Sequence, residues 1–466
     1  AMTMTFAWPS APAIKPLAVG SKVNFSFIQT ESGYQLTEIT PAQYRRNIMQ
    51  NRKQRRIAAW LAAMFFLPAA TQAASLSLDE ALNAAQKYSA ALSANQHQVN
   101  ALENMADSAT QLPDPKLKFG IENVPVGGDN GRRLTREGMT MQRIGIMQDY
   151  VSSEKRERKA DTLRAEAAKT AANSLAIRAQ LQRDTAQAWL DLALAQRSEE
   201  QAKKLVHEGQ RQVPLQNASV ANGSAPSSAI DARLTLAAMQ DLVTDASRDV
   251  QVAQARLMQL TGENDVRTAG SLPRYQRLPA ERDVLIQAID EHPEVLQAKR
   301  ESDVAHARSE QTALAAVPDV GVEVYYAKRG DDYEDMAGVM FTVDLPLFKS
   351  KRQDKDYAAE VSRSMEANDQ LTLLQRDHRA QLDTLIAQYQ AAQSRWQRQQ
   401  QEIVPLQQQK IRLLEAQYRA GSSSLAEVMS GRRALLESEL ASVTAEREMA
   451  KIWASIRYLI PQEFAQ

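Results

Sequence analysis

Two short methionine motifs offer the first candidate chemistry in this chain. Met2-Thr3-Met4 and Met139-Thr140-Met141 each place two thioethers two positions apart. Alternate residues of an extended strand share a face, so each pair is a donor set suited to a soft monovalent metal ion. Lipid-facing or packing roles account for Met139 and Met141 more simply. The five histidines, His97, His207, His292, His306 and His378, lie far apart and show no metal-ligand spacing. Each reads as a polar helix or loop residue. There is no HExxH and no glycine-rich phosphate loop. Cysteine is absent, which removes disulfides, thiolate metal sites, a cysteine nucleophile and a lipid-anchored cysteine. The chain is therefore read as a non-enzyme without a cofactor, and its function must come from its architecture.

Composition narrows that architecture. The 466 residues are 24% charged and 44% hydrophobic, enough for more than one water-exposed core. Lysine plus arginine and aspartate plus glutamate each number 56, so no bulk charge points to nucleic acid. Glycine and proline are scarce, at 17 each, while alanine, glutamine, leucine, glutamate and arginine favour long helices.

A secretory signal is expected at 49–73. Arg52, Lys53, Arg55 and Arg56 lead into an apolar run from Ile57 to Leu67, followed by Pro68 and Thr71-Gln72-Ala73. The run is about half the ~20 residues a spanning helix needs. Cleavage after Ala73 starts the mature chain near Ala74. Residues 1–48 differ in texture. Lys22–Ile28 and Tyr34–Ile39 alternate like strands around a Ser32-Gly33 turn. AMTMTFAWP and GSKVNFSFIQTESGYQLTEI resemble the C-terminal part of the CusF-like periplasmic copper/silver-binding proteins. That resemblance assigns monovalent metal binding to Met2 and Met4. The family's histidine and tryptophan ligands lie upstream of its motif and have no equivalent here; Trp8 follows the motif instead. Too few strands remain for a closed barrel. Residues 1–48 are accordingly read as the tail of a neighbouring reading frame, joined to the chain's own start at Met49.

An internal repeat organises the remainder. Leu82-Asn-Ala-Ala85 leads through an amphipathic helix to the strand-like segment Leu112–Val124; Leu285-Ile-Gln-Ala288 leads likewise to Val317–Tyr326. Pro115 and Pro318 lie 203 positions apart (318 − 115), as do Ala85 and Ala288. Second strand-like segments follow at Met139–Tyr150 and Met336–Leu347, then basic stretches at Glu154–Lys159 and Lys349–Arg352. Each copy closes with two long helical stretches broken at a short tip, Val220–Ser228 and Tyr418–Ser424. Repeat 1 is placed at 74–262 and repeat 2 at 280–466. The glycine- and proline-bearing segment 263–279 is the linker between them.

The lengths predict an architecture: mainly α with a small β part. A helix from Ser153 to Asn217 is roughly 90 Å long at about 1.5 Å per residue. Its leucines are interleaved with polar residues, which suits helices packed side by side in water. Pro405 is expected to kink its helix. The strand segments approach the ~9–11 residues of a membrane-crossing β-strand. In Ala337–Leu345, alternation puts Ala337, Val339, Phe341, Val343 and Leu345 on a lipid-suited face. Met336, Met340, Thr342 and Asp344 take the lumen side. The facing of 139–149 is left open. Four strands cannot close a barrel, so the chain must oligomerise; two, three or four copies satisfy that physical demand.

Two copies of helix, strand pair, basic helix start and glycine-tipped hairpin resemble the TolC-type outer-membrane efflux proteins over about residues 76–461. The most specific segments are Gln417–Met429 and Phe348–Arg352. The resemblance implies a homotrimer with a 12-stranded β-barrel in outer-membrane lipid and duplicated helical hairpins forming an α-barrel in the periplasm. It implies passive transport of substrate supplied by an inner-membrane RND pump through a periplasmic adaptor protein. The CusF-like fragment points to the heavy-metal branch, with copper or silver favoured. An organic-solute or multidrug channel and a soluble periplasmic coiled-coil or metal-binding protein are the alternatives. Adaptor-contact tips carried over from the family are Gly223, Ser224 and Asp231, then Gly421, Ser422, Ser423 and Leu425. Glu427 stands where the family narrows its periplasmic gate. Ser430 stands where the family's type member has a second acid, so at most a single acidic ring is expected. N-terminal sequencing of the exported protein should read from near Ala74; a start at Ala1 contradicts both the signal and the separate origin of residues 1–48.

Overall fold

The computed structural model describes residues 23–30, 33–41, 74–129, 131–134, 137–212, 226–330 and 332–460. The chain divides into two units, Ala1–Ala70 and Thr71–Gln466. The described part of the first is an antiparallel hairpin of β1 (Val23–Thr30) and β2 (Gly33–Pro41), closed at Thr30↔Gly33 with an irregularity between Ser26 and Phe27. This agrees with the alternation in the sequence. Met2, Met4 and the signal segment 49–73 lie outside the described residues.

The second unit is dominated by long helices. In the first copy, α1 (Leu78–Tyr88) and α2 (Ala90–Ala109) precede α3 (Ser153–Gln212), whose 60 residues span about 90 Å. The return helix is α4 (Pro226–Thr261). In the second copy, the short α5 (Arg282–Gln287) and one 3-10 turn lead to α6 (Pro293–Ala313). Then come α7 (Gln353–Arg398), α8 (Val404–Arg419) and α9 (Leu425–Arg457). No described helix is long and apolar enough to cross a membrane.

A seven-residue period explains how these helices run together. Ala232, Met239, Ala246 and Ala253 are buried along α4; Val428, Leu435, Ser442, Met449 and Ile456 are buried along α9. Such a period keeps one seam facing a partner only if the helices coil left-handedly around each other. Helix α9 packs against α3, α4, α7 and α8, so it ties the two copies together. Where a kink is expected at Pro405, the helix departs from regular α geometry. Gln399–Ile403 make one π-helical turn just before it. Proline has no N–H for the i−4 carbonyl, and the widened turn accommodates its ring.

Two cores result. One, near the chain's midsection, gathers Trp189, Leu192, Tyr275, Tyr389 and Trp453; the other, toward the tips, gathers Val206, Met239, Ile411, Leu425, Met429 and Leu436. The segment 263–279 is more than a connector. Within it β6 (Val266–Thr268) pairs in parallel with β3 (Ala74–Leu76). The Trp189 indole donates to the Leu76 carbonyl at 2.9 Å. Tyr275 is fully buried; its hydroxyl donates to Glu446 at 2.7 Å, and its carbonyl accepts from the Tyr389 hydroxyl at 2.8 Å. Arg197 completes the pairing of the buried Glu446. The linker thus locks helices of both copies. Tyr275→Phe removes one donor from a buried carboxylate and should lower stability by about 1–3 kcal/mol, seen as an earlier thermal melt. An unchanged melt contradicts this role for the linker.

Candidate functional site

Function can reside at three places in this fold: the sheet, the hairpin tips and a histidine cluster. The sheet holds β4 (Lys116–Glu122), β5 (Met141–Tyr150), β7 (Val320–Lys328) and β8 (Met336–Val343), in the order β4-β5-β7-β8, all antiparallel. The β5–β7 ladder joins the two copies. Register sorts most side chains by face, although Gln142, Gln148 and Lys328 fall on the mainly apolar one. Leu117, Phe119 and Ile121 align with Ile144 and Ile146, then Val322, Val324 and Tyr326, then Ala337, Val339 and Phe341. Along this face Phe119 is 80% exposed and Phe341 70%, although both are large and apolar. The opposite face is charged. Glu323 accepts from Lys118 and Arg143, each at 2.8 Å, and Arg143 also reaches Glu122 at 3.0 Å. Lys116 pairs with Asp149 at 2.6 Å.

The sheet's register settles the face left open by sequence. Ile144 and Ile146 are on the apolar side; Met141, Arg143, Met147 and Asp149 are on the charged side. The second hairpin agrees with the alternation, with Met336, Met340 and Thr342 opposite the apolar row. Asp344 and Leu345 fall beyond the end of β8. The methionine pair at 139 and 141 requires a correction. Met139 precedes β5, so the two do not share a strand face, and Met141 lies on the charged side of the sheet.

The second tip is built from its glycine outward. Gly421 has φ +76, the left-handed region that ends helices without steric cost only for glycine. Its N–H donates to the Tyr418 carbonyl at 3.0 Å, and that of Ser422 to the Gln417 carbonyl at 2.9 Å. These two bonds close α8 in a Schellman motif. Ser424 then caps α9 reciprocally with Glu427: Ser424 Oγ accepts from Glu427 N at 3.2 Å, and Glu427 Oε2 accepts from Ser424 N at 2.9 Å. The Ser423 hydroxyl also donates to Glu427 at 2.5 Å. These hydrogen bonds hold the Glu427 carboxyl below its usual pKa, with Ser423 the larger cause. Gly421, Ser422, Glu427 and Ser430 are exposed.

Leu425 requires a second correction. It is 1% exposed and packs in the tip core beside Val428 and Met429, so its apolar side chain serves folding and not an adaptor contact. In the first copy Asp231 is exposed on α4, while Gly223 and Ser224 lie outside the described residues. The buried Arg432 was not foreseen. It bridges Glu415 on α8 at 2.6 Å and Glu208 on α3 at 3.3 Å, tying the ends of both hairpins. One arginine among the many on these helices carries no sequence signal of such a role.

The histidines require a third correction. His292 and His378 are far apart in sequence, yet their ring centroids are 3.9 Å apart. His292 caps α6 and His378 is buried on α7. Glu294 Oε2 lies 3.0 Å from His378 Nε2. Ligand-capable atoms of the three residues all lie within 4.8 Å of one another. Burial, then His378 and Arg183, pull the His292 pKa down to about 4, so its imidazole is neutral at ordinary pH. His97, His207 and His306 remain the exposed residues expected.

Residues 284–460 match the family model of the outer membrane efflux protein, and residues 1–41 that of the copper binding periplasmic protein CusF. No curated protein matches the chain. Among solved structures, CusC is 15% identical with a TM-score of 0.66, covering 83% of this chain and 92% of its own. VceC of Vibrio cholerae is 17% identical with a TM-score of 0.63, covering 82% and 95%. CmeC of Campylobacter jejuni is 14% identical with a TM-score of 0.61, covering 83% and 87%. Likeness at such low identity is one of fold. Residues 284–460 match the outer membrane efflux protein family, and the chain that carries them has the fold of an outer-membrane efflux channel.

Proposed function

We propose that this chain is one of three identical protomers of an outer-membrane exit duct, passing heavy-metal ions, copper or silver foremost, from an inner-membrane RND pump and its periplasmic adaptor to the exterior. The sheet is the observation that carries this reading. Its apolar face suits lipid, and its Lys118–Glu323–Arg143–Glu122 network suits a water-filled lumen. The outer edges of β4 and β8 have no strand partner among the described residues. Lipid does not tolerate such edges. The β5–β7 ladder supplies the pattern for covering them: the second strand of one copy pairs with the first strand of the next. The same step between β8 of one protomer and β4 of its neighbour closes a ring, and three protomers give the expected 12-stranded barrel.

The helices fit the periplasmic part. They are too polar to span lipid and, at about 90 Å, long enough to form a second, helical barrel. Gly421, Ser422 and Ser423 remain the adaptor-facing tip of repeat 2, with Gly223, Ser224 and Asp231 in repeat 1; Leu425 no longer belongs to that set. Glu427 is the candidate gate acid, its carboxylate anchored by Ser423 and Ser424. Three such carboxylates form a fixed acidic ring that attracts cations. Ser430 adds no second ring. Conduction is passive, and the gate opens when the tip helices separate on adaptor docking. The cargo reading rests on the CusF match at residues 1–41 and the likeness to CusC. An organic-solute channel is the competing reading.

Deletion of the gene should sensitise its host to copper and silver, tested ion by ion. Unchanged metal tolerance with new sensitivity to organic toxicants supports the competing cargo. Replacing Glu427 with alanine removes one half of the capping box and should weaken cation preference in single-channel recordings. Conductance and ion preference equal to wild type exclude an acidic ring at Glu427.

A further inference from the structure

The histidine cluster has chemistry that the duct does not use. We propose that His292, His378 and Glu294 bind one divalent transition-metal cation of the zinc and copper(II) class, at the junction of α6 with α7. This site is resident in the helical part and does not rest on the cargo reading. Two imidazoles and one carboxylate form a borderline donor set that suits such ions and leaves a fourth position for water.

The geometry is close to a closed ligand set. Tetrahedral zinc with bonds near 2.0–2.1 Å holds neighbouring ligand atoms about 3.3 Å apart. Glu294 Oε2 and His378 Nε2 are already 3.0 Å apart, and all three ligand atoms fall within 4.8 Å. Binding requires the side chains to turn so that their donor atoms converge on one ion.

His378 supplies an independent reason to look for a ligand. It is 8% exposed, and neither ring nitrogen makes a hydrogen bond of acceptable direction, the short approach of Glu294 included. A buried polar ring left in that condition is costly. A coordinated ion satisfies one nitrogen directly. Beside the two histidines is a cavity of about 170 Å³, lined by Leu285, Ile289, Leu382 and Ile456. It gives room for a metal-bound water.

The internal repeat provides a control within the same chain. His292 lies 203 positions after Ser89 (292 − 89), the offset that also relates Pro115 to Pro318. Ser89 caps α2 by accepting from Leu92 N at 3.3 Å; His292 caps α6 by accepting from Glu294 N at 3.3 Å. Serine therefore performs the capping role in repeat 1, and capping alone does not require a histidine. What the histidine adds is a second imidazole beside His378. Metal binding to His292 competes with its long capping bond. The positive end of α6 and the nearby Arg183 also oppose a cation. The Glu294 carboxylate offsets them. Once bound, the ion joins residues 292 and 378 and fastens the start of α6 to α7.

The test uses the full-length channel, without a histidine tag, purified in detergent and stripped by chelator. Zinc chloride alone is titrated in, with bound zinc per chain and melting temperature as readouts. Wild type should gain one tightly bound zinc per chain and a higher melting temperature. His292→Ser restores the residue of repeat 1 and keeps the cap. It should leave the metal-free melt in place, abolish the zinc-induced rise and weaken binding at least tenfold. Glu294→Gln, at an exposed side chain, should weaken binding without changing the metal-free melt. Cobalt(II) in wild type should show the visible absorption of a four-coordinate ion, lost in His292→Ser. The proposal is overturned if wild type shows no zinc-dependent rise, or if His292→Ser binds zinc with the same stoichiometry and rise.

Discussion

An unpaired strand edge cannot stay in lipid, and the rest of this structure follows from that constraint. Each peptide group on an open edge has a donor or acceptor that hydrocarbon cannot satisfy, at a cost of several kcal/mol per group. Among the described residues, the four strands of this sheet, of 7 to 10 residues, leave two such edges, β4 and β8. The chain is thus an arc of a barrel. Its charged inner face makes the same demand in another form: the Glu323 network is stable facing water and other strands, not hydrocarbon. A closed ring of several arcs meets both demands.

The helices inherit this geometry. Each strand pair continues into a long hairpin, so protomers that associate through their strands also set their helices side by side. The heptad seams along α4 and α9 hold each protomer's hairpins together, and the Tyr275–Glu446–Arg197 cluster joins the two copies near the middle. At the far end Arg432 joins α3, α8 and α9.

Much of this was legible in the sequence because it is local or repeated. The duplicated offsets placed both strand pairs, and the alternation of Ala337, Val339, Phe341 and Val343 gave the correct face of β8. The glycine at 421 marked the tip because only glycine takes φ +76 without strain. Features made by distant packing were not legible. The β3–β6 ladder joins residues nearly 200 positions apart, and its glycine- and proline-rich surroundings resemble a plain linker. His292 and His378 each sit alone in sequence, and only the packing of α6 on α7 brings them together. Leu425 carries a similar lesson: its place beside the tip glycine suggested a docking surface, but its apolar side chain turns into the tip core. Glu427 stands in both groups, since its place behind the tip glycine is visible in the sequence while its capping bonds come from the fold and any ring it forms depends on neighbouring protomers.

The central claim is that the open edges are closed by copies of the same chain. A density map of the purified protein in a lipid bilayer tests it most directly. The account predicts three chains around one axis, twelve strands in a closed barrel, and β8 of each protomer hydrogen-bonded to β4 of the next. A sheet lying outside the bilayer, a different number of chains, or a β8 edge covered by anything other than a neighbouring β4 contradicts it.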